Sequence, residues 1–243
     1  VERLEAMAAA EPGRMPAWAA LVEAAEAGVR AAEAEVGEGG VNNRGREALA
    51  GERRKLARAL GGVAAVASAN GNGERAVAAW ERAAGLYEDT GDAELALDAW
   101  RKARDVAAGS LDALEGVARC VDALGLNARE ADDARWRIVR KLAPTSTHAA
   151  SNESERLHLA TRLLLARPAH GLLTARKNLA DAPPTLRAFQ DLASCAKDLA
   201  DVLPANVLVR ATLAFLGEVT SGRPMDATPA LELARDAAAA NEP

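Results

Sequence analysis

AVAAWERA at 76–83 and ALDAWRKA at 96–103 decide the reading of this chain. The two stretches share alanine, an aliphatic residue, alanine, tryptophan and alanine at equal offsets, 20 residues apart (76 to 96). One helix and a tight turn occupy about that length, so each copy reads as one helix of a stack. Small side chains let such helices approach closely. A tryptophan then fills the space between them, because a helix lined only with alanine buries little apolar area.

Working outward, the same helical spacing continues in both directions. Upstream, a short helix over 1–11 stops at Pro12-Gly13, and Pro16 opens a helix over roughly 16–36. GEGGVNNRG at 37–45 reads as a long loop or a boundary. A helical pattern from Arg46 to Asn70 carries Leu49, Leu56, Leu60 and Val63, and Gly61-Gly62 interrupts it as a split or a bend. Downstream, helices fit 74–89, 92–108, 111–124 and 127–142, and then 153–166, 169–181, 184–202, 204–220 and 228–240. Gly71, Gly91, Gly125, Pro168, Pro183-Pro184 and Pro204 punctuate them. Short connections imply antiparallel neighbours. Three segments follow: 1–45 with N-terminal helices and a Gly-rich loop, 46–144 with the helical repeats, and 145–243 with hairpins continuing the stack.

Composition agrees with an all-α chain. Aromatic residues are 3% of the total and Ile138 is the only isoleucine, whereas sheets draw on β-branched and aromatic side chains. The rest is rich in Ala, Leu, Glu, Arg and Lys, the best helix formers, in the Ala-rich manner of many bacterial proteins. The formal charge is -5, with 35 acidic against 30 basic residues and no basic run, which argues against nucleic-acid binding. No stretch is long and apolar enough to span a membrane, and the N-terminus does not read as a signal peptide. The expectation is a soluble, cytoplasmic protein. Cys120 and Cys195 sit in helical patterns and read as small buried hydrophobes.

Residues 77–110 resemble the tetratricopeptide repeat family. The large, small-pair and aromatic places of its 34-residue motif are taken by Trp80, Ala83-Ala84 and Tyr87, the turn by Gly91-Asp92, and the second helix by Ala96, Trp100 and Ala103. Ala108 stands where the family's closing proline belongs. In 111–144, Leu114, Val117-Ala118, Val121 and Gly125 fit the first helix, and Ala131 fits the second once the turn gains a residue. A competing frame over 57–90 uses Val63-Ala64, Gly71, Ala76 and Trp80; Tyr87 and the 34-residue spacing favour the first. The resemblance implies a right-handed superhelix of antiparallel hairpins, the alternative being an irregular helical bundle.

It also implies a groove lined by the first helix of each pair. The facing places are Ala78, Glu81, Gly85, Glu88 and Asp89, then Asp112, Glu115, Arg119, Asp122 and Ala123. Six of these ten are acidic and one is basic, which would favour a partner carrying Lys or Arg. The alternative is an ordinary solvated helix face. The carboxylate clamp of the family's chaperone adaptors has no counterpart at these places.

No catalytic constellation emerges, so an enzyme, a cofactor and a metal are not expected. GNGERA at 71–76 matches a dinucleotide-binding turn only superficially, because that chemistry needs a preceding strand. His148, His158 and His170 form no metal-ligand spacing. The chain reads as a scaffold or adaptor for a partner peptide or subunit, with Trp18 and Trp136 as interface anchors or core residues. Two alternatives remain open. The first residue is Val1, not Met, which suits a regulatory helical domain of a larger enzyme. A self-assembling structural protein would instead stack copies through Ala-rich terminal helices.

Overall fold

The computed structural model describes residues 2–11, 13–38, 43–143, 151–177 and 182–220, and these are helical throughout apart from short turns. In chain order the helices are α1 (Glu2–Ala10), α2 (Met15–Glu38), α3 (Asn43–Ala69), α4 (Gly73–Asp89), α5 (Ala93–Val106), α6 (Leu111–Ala123), α7 (Ala128–Leu142), α8 (Ser151–Lys177), α9 (Ala182–Val202) and α10 (Val207–Thr220). Among the described residues there is no strand. The helix expected over 228–240 lies outside them. Sequence-adjacent helices pack together from α1 to α6 and again from α8 to α10. The chain forms two compact units, 1–134 and 135–243, and the division falls inside α7.

The first unit turns its corners with one recurrent device. Gly71, Gly91 and Gly125 have φ of 73°, 76° and 61°, a left-handed conformation that a side chain would strain. After each helix the glycine N–H reaches back to one carbonyl and the next N–H reaches further back: Asn72 to Ala67 at 2.9 Å, Asp92 to Tyr87 at 2.9 Å, Leu126 to Val121 at 3.0 Å. These Schellman turns satisfy the carbonyls that a helix end leaves unpaired. Gly91 and Gly125 are 34 residues apart and follow α4 and α6. Two of the helices, α4 and α6, start with side-chain caps. Asn72 Oδ1 accepts the Arg75 N–H and Ser110 Oγ accepts the Ala113 N–H, each at 3.2 Å. GNGERA is therefore a helix-to-helix corner, with helix on both sides.

The core is alanine with a few large side chains. Ala83, Ala84, Tyr87, Ala96, Trp100 and Ala103 are all buried in the α4–α5 hairpin. Leu114, Val117, Ala118, Val121 and Ala131 are buried after them. Tryptophans sit where a neighbouring helix carries glycine. A Cβ at Gly116 of α6 would fall 2.2 Å from the Trp100 ring, and one at Gly62 of α3 would fall 2.2 Å from the Trp18 ring. Trp80 approaches Gly61 from the opposite neighbour, at 3.2 Å. Gly61-Gly62 neither splits nor ends α3, which runs unbroken from Asn43 to Ala69. The pair is a double seat for indoles from α2 and α4.

In the second unit, α8 runs through Pro168, where the sequence suggests a break between two helices. Proline removes the N–H that would bond the carbonyl four residues back. That carbonyl, Leu164 O, receives the Cys195 thiol of α9 at 3.5 Å. Thr161, fully buried on the same helix, returns its hydroxyl to Leu157 O at 2.8 Å.

Candidate functional site

The ten places that the resemblance assigns to a groove lie on α4 and α6 and are partly or fully exposed; none is part of the core. α4 and α6 also touch each other directly. Three of the acids on α4 are occupied within the chain. Glu88 takes a two-pronged grip from Arg119 of α6, with Nε to Oε1 at 2.9 Å and Nη2 to Oε2 at 2.8 Å. The Cys120 thiol donates to Glu88 Oε1 at 3.2 Å. Glu81 accepts the Ser110 hydroxyl at the start of α6. Asp89 pairs with Arg53 of α3 at 3.5 Å. Asp112, Glu115 and Asp122 each also have an interaction within the chain.

Glu88 is the centre of this arrangement. Burial alone would raise its pKa, but hydrogen bonds from Arg119 and Cys120, with the positive charge of Arg119, hold it below the usual carboxylate range. The Trp100 indole Nε1 is buried and makes no hydrogen bond of standard geometry, yet it lies close enough to favour the ionised carboxylate. The same burial, and the carboxylate beside it, push the Cys120 thiol up to about 12. A thiol so far from ionisation is a poor nucleophile and a poor metal ligand.

Charged groups tie alternate helices together elsewhere in this unit. Arg82 of α4 pairs with Glu26 of α2 at 2.7 Å. Arg54 of α3 holds Asp92, which begins α5, at 2.6 Å and reaches the Thr90 carbonyl. The hydrogen bonds from Arg54 and then Thr90 lower the Asp92 pKa. Arg101 and Arg104 of α5 converge on Glu130 of α7, and the Arg101 contact contributes most to keeping that carboxyl ionised. α2, α4 and α6 are thus linked to each other, and α3, α5 and α7 likewise, while Arg53 of α3 also pairs with its sequence neighbours through Glu33 of α2 and Asp89 of α4. Groups of His, Cys, Asp and Glu arranged to hold a metal ion do not occur among the described residues. No described helix is long and apolar enough to cross a membrane.

A second feature has no counterpart in the sequence reading. Between α2 and α4, over α3, lies an open cleft of about 350 Å3. Its floor is apolar, built from Val22, Leu60, Val63 and Ala79, with Ala78 at its edge. Glu23, Arg75 and Arg82 carry the charges at its rim. The α4 contribution is Arg75, Ala78, Ala79 and Arg82, the spacing of a single helix face. Ala78 also stands among the groove places that the resemblance implies, whereas Arg75, Ala79 and Arg82 do not. The remaining tryptophans act as packing side chains. Trp80 lies beneath the Lys102 ammonium at 4.7 Å, and Trp136 beneath the Arg140 guanidinium at 5.6 Å.

The geometry defines a chain of sequence-adjacent helical hairpins, stapled by charge between alternate helices. Comparison with known protein families finds none that matches it, and comparison with curated proteins finds none either.

Proposed function

We propose that this chain is a scaffold of the tetratricopeptide kind, holding a segment of another protein against the outward faces of its first-row helices. One observation carries the reading. The buried places Ala83, Ala84 and Tyr87 of α4 are filled again 34 residues on by Val117, Ala118 and Val121 of α6, and the corners after α4 and α6 recur at the same interval with the same geometry. In a protein built this way, side chains are divided between those that stack hairpins and those left facing solvent. On this reading the first unit twists as a right-handed superhelix, and α4 and α6 line its inner side. Asp112 and Asp122 are exposed there and would favour a partner segment with Lys or Arg. Free Cys120 and Cys195 fit a reducing, cytoplasmic setting.

The test is fluorescence anisotropy of the whole chain with labelled peptides that are basic, neutral or acidic. Basic peptides should bind best, binding should weaken with salt, and Asp112→Asn with Asp122→Asn should reduce it. If basic peptides bind no better than acidic ones at low salt, the acidic-face reading is wrong. Glu81, Glu88 and Asp89 are kept unchanged because they tie α4 to α6 and α3, and the Asp112 and Asp122 variant, whose side chains also interact within the chain, must first match the wild-type urea midpoint.

A further inference from the structure

The cleft between α2 and α4 differs from the acidic face in both floor and rim. Its floor is a strip of small and aliphatic side chains. Arg82 is bound to Glu26 and closes one end. Arg75 on the α4 wall and Glu23 on the α2 wall make no side-chain hydrogen bond or ion pair with another described residue, and both are exposed. Among the described residues, two opposite charges thus stand unpaired at the rim of an apolar floor.

Helix geometry gives their spacing. Glu23 lies three residues from Glu26 and Arg75 seven from Arg82, so at 1.5 Å per residue they sit roughly 4 and 10 Å from the closed end. They are about 6 Å apart along the cleft, close to the reach of residues i and i+2 in an extended segment. A side chain between them would point to the floor, and the two flanking side chains would point away from it, towards the exposed rim that carries Arg75 and Glu23.

We propose that this cleft receives an extended segment of a partner protein in which one bulky apolar residue is flanked by an acid and a base. The acid meets Arg75 towards the open end, the apolar side chain covers Val22, Leu60 and Val63, and the base meets Glu23. Charge complementarity selects this occupant: a uniformly basic segment would place a cation against Arg75, and a uniformly acidic one would place an anion against Glu23. The proposal rests on the reading of the chain as a scaffold that holds protein segments, and it names a second contact surface on α4.

The test uses the full chain and three synthetic peptides: acid–Leu–base, base–Leu–acid, and acid–Ala–base at the same central place. Anisotropy reports binding. Quenching of tryptophan reports the site, since Trp18 and Trp80 pack against the same cluster as Val63 and Ala79. Acid–Leu–base should bind best. Replacing its leucine with alanine, or Arg75→Glu in the protein, should each weaken it roughly five- to tenfold. The double variant Glu23→Lys with Arg75→Glu should switch preference to base–Leu–acid. Ala19→Leu, on the α2 wall, should obstruct the cleft and abolish binding to either. If acid–Leu–base binds but the charge swap leaves the preference unchanged, the cleft assignment is overturned. If Asp112→Asn with Asp122→Asn weakens a basic peptide while no cleft variant affects any peptide, this inference fails and the acidic-face reading stands. If no peptide binds at all, both fail.

Discussion

Gly116→Ala should destabilise the first unit even though alanine is the better helix former. A Cβ at position 116 would lie 2.2, 2.3 and 2.6 Å from Cδ2, Cε2 and Cγ of Trp100. Carbon atoms in contact prefer roughly 3.5–4.0 Å, so the new methyl overlaps the ring by more than about 1 Å. Cγ is the root of the indole, so turning the ring about its own bond does not clear it. The ring is 6% exposed and has no open space to enter. Either α5 and α6 part or Trp100 leaves its rotamer, and overpacking of this kind costs about 1–3 kcal/mol. The helix-forming gain returns about 0.5–1 kcal/mol, which leaves a net loss of up to about 2.5 kcal/mol. Gly85→Ala supplies the contrast: it is also inside a helix, but its Cβ meets nothing within 4 Å, and it should stabilise by about 0.5–1 kcal/mol. Urea unfolding followed by tryptophan fluorescence reads mainly this unit, because Trp18, Trp80 and Trp100 belong to it. Trp100→Leu combined with Gly116→Ala should cost less than the two changes added together. If Gly116→Ala proves as stable as Gly85→Ala, the indole is not seated on residue 116 and the packing argument is refuted.

Two further outcomes test the polar contacts. Glu88→Gln should lower stability at neutral pH by about 0.5–1 kcal/mol, the range for a partly exposed pair. The native pKa of Glu88 is depressed, so its contribution is complete above the unfolded value of about 4.3 and disappears as pH falls through the native one. Urea midpoints of wild type and variant should therefore converge on acidification; midpoints that stay equally far apart would mean the loss is not electrostatic. In the second unit, Cys195→Ala should strip the Leu164 carbonyl of its donor and cost about 1 kcal/mol. Pro168→Ala restores a backbone N–H for that carbonyl, so Cys195→Ala should cost less in its background, and strict additivity in the double-mutant cycle would count against the thiol contact.

How far the sequence reveals this molecule depends on whether a residue acts locally or across space. Helix existence was legible because the periodic alanines and the corner glycines act within their own turn. The 34-residue recurrence was legible for the same reason. Gly61-Gly62 and Pro168 were not, because each has two physical meanings. Glycine both frees the backbone and removes a Cβ; the second matters at 61–62 only because Trp18 and Trp80 arrive there from other helices. Proline both breaks a helix and merely deletes one donor; the second applies at 168 because a thiol from α9 replaces it. The acids of the candidate face lie outside the core, and the partners of Glu81, Glu88 and Asp89 are about 30 residues or more away in sequence, where no local pattern announces them.

A row of acids on a first-row helix looks like a complement for a basic ligand only if the next hairpin leaves them alone. Here Arg119 and Ser110 reach back from α6 to Glu88 and Glu81, and Glu26 reaches from α2 to Arg82. Each such link closes between hairpins and fixes their spacing, which alanine-lined contacts alone would leave permissive. A polar group already satisfied inside the chain gains little from a partner, since exchanging one hydrogen bond for another nets near zero. Recognition in this protein should therefore depend on the charges that stacking does not consume. Arg75 and Glu23, facing each other across an apolar floor, meet that condition; Glu81 and Glu88 do not.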